Sequence, residues 1–183
     1  MGKSLYFVAL LLPPDIAAIA TQWKQYCADH FDTKKAFNSP PHITLQPPFK
    51  VHDRDRDLLM GVLTKFATDS PNIPVKLDGF NCFKPRVIYI DVLKTNELLM
   101  IQERLKREFI ERLEIRDERY GDRPFCPHAT IAFKDLSKAN FYRAWQEFQN
   151  KPLHHEFVVP ELTLLKHNGR VWEVDTTFLF ENS

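Results

Sequence analysis

One series of elements runs through this chain twice, and each copy carries a His-x-Thr tripeptide directly after a proline: Pro41-His42-Ile43-Thr44 and Pro127-His128-Ala129-Thr130. Residues 5–12 (LYFVALLL) form a continuous apolar run that predicts a buried strand. Pro13-Pro14-Asp15 opens a helix reaching about residue 30, with proline and an acid in the first turn. Residues 42–46 read as a short strand stopped by Pro47-Pro48, residues 53–68 as a helix, and residues 73–83 as an alternating strand. The series then restarts: strand 87–93, helix 96–113, strand 128–133, helix 137–149 and strand-like 156–167, interrupted at Pro160. A turn at His167-Asn168-Gly169 leads to one more strand, 171–180. The first strand recurs after 82 residues (Leu5 to Val87) and the histidine after 86 (His42 to His128). So regular an offset predicts an internally duplicated α+β fold. It would have two antiparallel sheets flanked by helices, a pseudo-twofold axis and a central cleft, each half (about 4–83 and 86–180) building its own lobe of one domain, 1–183.

Side chains at i and i+2 of a strand share a face. His42 and Thr44 therefore point together, as do His128 and Thr130, and a twofold relation brings the two pairs face to face. Two imidazoles that titrate near neutrality suit proton transfer on both sides of a reacting phosphorus. Two threonine hydroxyls can donate to its non-bridging oxygens. Neither tripeptide carries this reading alone. Their matched places in a repeat do.

Composition removes several other classes. At 183 residues, 44% hydrophobic and 27% charged, the chain can bury a sizeable core. Twenty-five Lys and Arg against 24 Asp and Glu give a net charge of +1, too little to hold long nucleic acid through many phosphates. The three cysteines, Cys27, Cys82 and Cys126, fit neither a disulfide framework nor a zinc site. The opening apolar run is too short to span a membrane and lacks a signal-peptide cleavage site, so a soluble, cytoplasmic protein is expected.

Pro41-His42-Ile43-Thr44-Leu45 and Pro127-His128-Ala129-Thr130-Ile131, with the opening strand and its Pro13-Pro14, resemble the 2H phosphoesterases, the RNA ligase/cyclic phosphodiesterase superfamily, over nearly the whole chain. The resemblance implies a bilobal α+β fold with an open cleft, no metal and no cofactor. It also implies cleavage of 2′,3′-cyclic phosphates on nucleotides or RNA ends, or of 2′-5′ linkages. By position, His42 and His128 would be the acid and base, and Thr44 and Thr130 the phosphate binders. The implied partner is a nucleotide or RNA end, and a monomer is expected. Ala129 replaces a bulkier apolar residue common in the family, on the side away from the cleft. A module that binds such ligands without turnover is the alternative, and a metal-dependent hydrolase using histidine ligands a third reading.

A base-bearing substrate would use aromatic platforms and cations, for which Tyr6, Arg86, Lys166, Arg170 and Trp172 are candidates on strands or turns that could border the cleft. His154 and His155 would face opposite sides of a strand, which suits surface histidines better than shared metal ligation. Cys126 would share the face of His128 if that strand began early, a conceivable Cys-His pair.

Overall fold

A computed structural model describes residues 2–117 and 123–181. The order is β1 (Lys3–Leu11), α1 (Pro14–Phe31), β2 (His42–His52), α2 (Arg56–Thr68), β3 (Ile73–Phe83), β4 (Val87–Val92), α3 (Asn96–Leu113), β5 (His128–Ala132), α4 (Lys138–Phe148), β6 (His154–Val159), β7 (Glu161–His167) and β8 (Trp172–Leu179). The strands form two four-stranded sheets, β2-β1-β7-β8 and β5-β4-β3-β6, in which every pairing is antiparallel. The architecture is the expected α+β arrangement of two antiparallel sheets flanked by helices.

The halves do not build separate sheets, and here the sequence expectation is corrected. Strand β3 of the first half sits in the second sheet, between β4 and β6, while β7 and β8 of the second half complete the first sheet. The reason is connection length. Only three residues, 84–86, separate β3 from β4, and the Arg86 N–H closes the turn on the Phe83 carbonyl at 3.0 Å. Strands joined that closely pair as a hairpin, whatever the repeat boundary. The helices cross over as well: α1 packs against β5, whereas α3 packs against β2 and β3. One cluster of buried side chains consequently runs through both sheets, from Leu10 and Ile43 to Ile90 and Ile131.

Strand β2 continues through Pro47-Pro48 instead of ending there. Its register explains how. Tyr6 pairs with Phe49 and Val8 with Gln46, so β2 fits one extra residue opposite β1. The prolines occupy this bulge on an edge strand, where their missing N–H costs no ladder bond. Helices α3 and α4 start at hydroxyl caps, with Thr95 accepting from the Leu98 N–H and Ser137 from the Asn140 N–H. The β7–β8 turn uses Gly169 at φ 97°, while the Asn168 side chain accepts from the Arg170 and Val171 N–H groups at 2.9 Å each.

Thr163 on β7 is fully buried, and its hydroxyl has no partner. An unpaired buried hydroxyl costs about 1–3 kcal/mol. Thr163→Val should therefore raise stability by about 1 kcal/mol, read as a higher urea midpoint at unchanged slope.

Candidate active site

Each His-x-Thr opens an edge strand beside the central strand of its copy: β2 beside β1, and β5 beside β4. In the first sheet His42 lies opposite Leu11 and Thr44 opposite Ala9. In the second, His128 lies opposite Asp91 and Thr130 opposite Tyr89. The four side chains are half-buried, while their strand neighbours Ile43, Leu45, Ala129 and Ile131 fill the core behind them. Strands β2 and β5 pack against one another, which brings the two motifs to one cleft.

The two imidazoles are tethered alike. His42 donates from Nδ1 to the Pro40 carbonyl at 2.7 Å, and His128 donates from Nδ1 to the Cys126 carbonyl at 2.7 Å. A carbonyl only accepts, so in both rings the proton of the neutral form sits on Nδ1 and Nε2 is left as the free acceptor. Each acceptor lies two residues upstream, in the extended segment that the paired prolines (Pro40-Pro41) or Pro127 hold out of the helical range. The tethers thus come from the same local chemistry in both copies.

Aromatic rings brace both histidines. Phe7 tilts against His42 with centroids 4.9 Å apart, and Trp172 meets Phe7 edge-on at 4.6 Å. Tyr89 lies 5.0 Å from His128, and Phe83 stands perpendicular to it at 5.1 Å. Burial acts first on both titrations. It pulls His42 down from 6.5 to about 4, with the Lys24 ammonium and His128 adding to the effect against the Pro40 tether. His128 is lowered by burial too, but its Cys126 tether and the Asp91 carboxylate work in the opposite direction.

Of the other sequence candidates, Trp172 reaches the site through Phe7. Arg86 and Arg170 stand exposed on the β3–β4 and β7–β8 turns, close in sequence to Phe83 and Trp172. Tyr6 and Lys166 do not join the site. They pair across β1 and β7 on the opposite face, where the Tyr6 ring is buried in the core against Phe49 and the Lys166 ammonium lies 5.7 Å over it. Position 6 differs by one from Phe7 on the cleft side, and the adjacent position on a strand faces the other way. Phe7, Phe83, Tyr89 and Asp91 were missed. The same alternation, counted across the ladder from His42 and His128, would have found Asp91 and Tyr89 had the register been known. Cys126 lies just before β5, and its sulfur approaches the Tyr89 hydroxyl at 3.9 Å. Among the described residues, no group of three or more His, Cys, Asp or Glu side chains could hold a metal ion, and no helix is long and apolar enough to cross a membrane.

Residues 12–170 match the 2′-5′ RNA ligase superfamily, and the chain belongs to that family, the 2H phosphoesterases. Candidate phosphoesterases of Geobacillus sp. (strain WCH70) and Staphylococcus aureus (strain JH1) are similar in sequence. The first is 29% identical over 178 residues, covering 95% of both chains; the second is 30% identical over 144 residues, covering 75% of this chain and 79% of the relative. The fold is shared with E. coli LigT solved with 3′-AMP, at a TM-score of 0.69 and 20% identity over 99% of this chain and 100% of that one. It is shared too with TT0787 of Thermus thermophilus, at a TM-score of 0.68 and 18% identity over 98% of this chain and 99% of that one. Membership places the chain among enzymes that act on phosphate esters.

Proposed function

We propose that the protein is a metal-independent phosphodiesterase that hydrolyses 2′,3′-cyclic phosphates of nucleotides or RNA ends, or 2′-5′ linkages, by paired histidine acid–base catalysis. The observation that carries this reading is the matched tether. Two Nδ1-anchored imidazoles present free Nε2 atoms, each with a threonine hydroxyl two residues along the same strand face. In the reaction, one neutral Nε2 removes a proton from water as its oxygen attacks phosphorus. The other histidine, protonated at Nε2, delivers that proton to the leaving ribose oxygen as the P–O bond breaks. The product is a phosphomonoester, and the two histidines exchange protonation states before the next turnover. Thr44 and Thr130 donate to the non-bridging oxygens, where negative charge must be held. The structures of E. coli LigT with 3′-AMP and with ATP support a nucleotide phosphate as the ligand type.

The test is turnover of nucleoside 2′,3′-cyclic phosphates and 2′-5′-linked dinucleotides in the presence of EDTA. Product formation is expected. Tight nucleotide binding without product would replace this reading by that of a binding module, and loss of activity on chelation would replace it by a metal hydrolase. Thr44→Val and Thr130→Val are each expected to lower kcat by about 10–100-fold, the worth of one hydrogen bond to a charged oxygen. Steady-state kinetics at saturating substrate measures it. Since both imidazoles titrate below 6.5 in the free enzyme, kcat/KM should peak on the acid side of that value. The bound phosphate's negative charge favours both protonated rings, so the kcat optimum should lie at higher pH.

A further inference from the structure

Strand β2 changes register just past the His42 motif. Thr44 lies opposite Ala9, but Gln46 lies opposite Val8, where an unbroken ladder would place it opposite Phe7. The bulge turns Gln46 away from the cleft face, to which Phe7 and Ala9 belong, and bulges beside active sites commonly re-aim a side chain in this way. Gln46 is only 4% exposed, and its side-chain amide makes no hydrogen bond among the described residues. A buried amide without a partner is costly and calls for an explanation. What remains exposed of it looks into an open cavity of about 380 Å³. Pro48 and Lys50 of β2 line one side of this cavity, and Glu114, Ile115 and Arg116 line the other. Helix α3 ends at Glu114, whose φ of 56° turns the chain and brings these residues beside β2. Among the described residues, neither the Lys50 ammonium nor the Arg116 guanidinium is paired with a carboxylate. No part of the mechanism above uses any of these groups.

We propose that this cavity is a second nucleotide site, in which the Gln46 amide meets the edge of a base while Lys50 and Arg116 hold a phosphate. The inference rests on the proposed reading of the substrate as a nucleotide or RNA end, and adds a place for a further nucleotide beside it. An amide offers a donor and an acceptor side by side, and base edges present the complementary pattern. Pro48 and Ile115 supply apolar walls for the faces of a base. Two cations suit phosphate oxygens. The Glu114 carboxylate in the same lining can accept from an exocyclic amine or a ribose hydroxyl. A lining of both signs around an amide therefore fits a whole nucleotide better than a bare phosphate. The volume is that of an ordinary small-ligand site. Gln46 stands two residues beyond Thr44, about 7 Å along the strand. An RNA strand whose end lies at the histidines has its adjoining nucleotide within reach of the cavity. A free nucleotide carries the same chemistry, and the experiment separates the two sources.

The test uses the full chain and needs no turnover. The probes are a hexaadenylate ending in a 3′-phosphate and, separately, AMP. NMR follows the Gln46 side-chain NH2 signal, assigned by its loss in Gln46→Leu. The hexanucleotide should shift this signal. Gln46→Leu, Lys50→Ala and Arg116→Ala should each raise its Kd about fivefold or more. Lys50→Ala and Arg116→Ala should also each flatten the slope of log affinity against log salt by about 0.7, the share of one phosphate contact on a single strand. Lys50→Arg should restore that slope, which a merely structural effect would not do. Should Gln46→Leu fail to fold, Gln46→Glu keeps the shape, removes the same signal and sets a charge against the phosphate, so it should weaken binding as well. A Gln46 signal that moves with AMP alone supports the site and assigns it to free nucleotides. A Gln46 signal that stays put with both probes, while the backbone signals of Thr44 and Thr130 move, overturns this inference and leaves the proposed hydrolysis standing. A wild type that shows the Gln46 shift but never turns over a cyclic phosphate or 2′-5′ linkage overturns the hydrolysis and leaves the second site standing.

Discussion

His42→Ala and His128→Ala are each expected to lower kcat by about 10²–10⁴-fold, the usual contribution of a positioned proton-transfer group. KM should change much less, because neither Nε2 is needed to hold the phosphate once the threonine hydroxyls are in place. The double variant should be only slightly slower than the worse single one. Proton uptake and proton delivery belong to one displacement, and groups that act as a unit lose their effect together. Single-turnover kinetics in EDTA measures all three variants. Full activity in either single variant would refute the proposed mechanism, whichever diester is the substrate. The structural basis is symmetric, since each ring is held through Nδ1 at 2.7 Å from a carbonyl two residues upstream.

The largest stability effect is expected away from the cleft, at Phe109. This ring is fully buried on α3 and meets Phe49 of β2 edge-on at 4.9 Å. Phe49 in turn lies against Tyr6 of β1. Phe109 thus ties a helix of the second half to the sheet that carries His42, across the line along which the halves exchange elements. Phe109→Ala should destabilise the fold by about 3–5 kcal/mol, from lost burial plus the cavity left behind. A domain of this kind has about 5–15 kcal/mol in total. Urea unfolding should show a lower midpoint at unchanged slope. Protein that remains folded should keep its kcat, because Phe109 lies on the helix side of β2. Loss of kcat in the folded fraction would mean that the exchanged helix also sets the cleft.

The catalytic candidates were legible because a strand has a period of two. That alone placed His42 with Thr44 and His128 with Thr130, and turned Ile43 and Ala129 into the core. That period could not place Tyr6, because a continuous apolar run such as residues 5–12 does not say which of its faces looks at the cleft. Here Phe7 faces the cleft and Tyr6 the helices. Pro47-Pro48 looked like a strand end, because nothing local reveals that the strand lies at a sheet edge and can absorb a bulge there. The three-residue link between β3 and β4 was a hairpin signal available from the start. It pointed to an exchange of strands between the halves, against the plainer picture of one lobe per repeat.

By itself, the sequence determined the repeated series, the class of fold and the two His-x-Thr pairs, since these follow from short-range periodicity, proline placement and spacing. The tertiary structure decided which strands share a sheet, which helix covers which half, and what stands beside each histidine. Asp91 stands across the ladder from His128 although it is 37 residues before it, and the Lys24 ammonium, from a different element, helps to lower the titration of His42. Neighbours of that kind are set by ladder register and helix packing, which depend on contacts between distant parts of the chain. A duplicated sequence therefore encodes two equivalent histidines, and only the folded surroundings give them different charges to face.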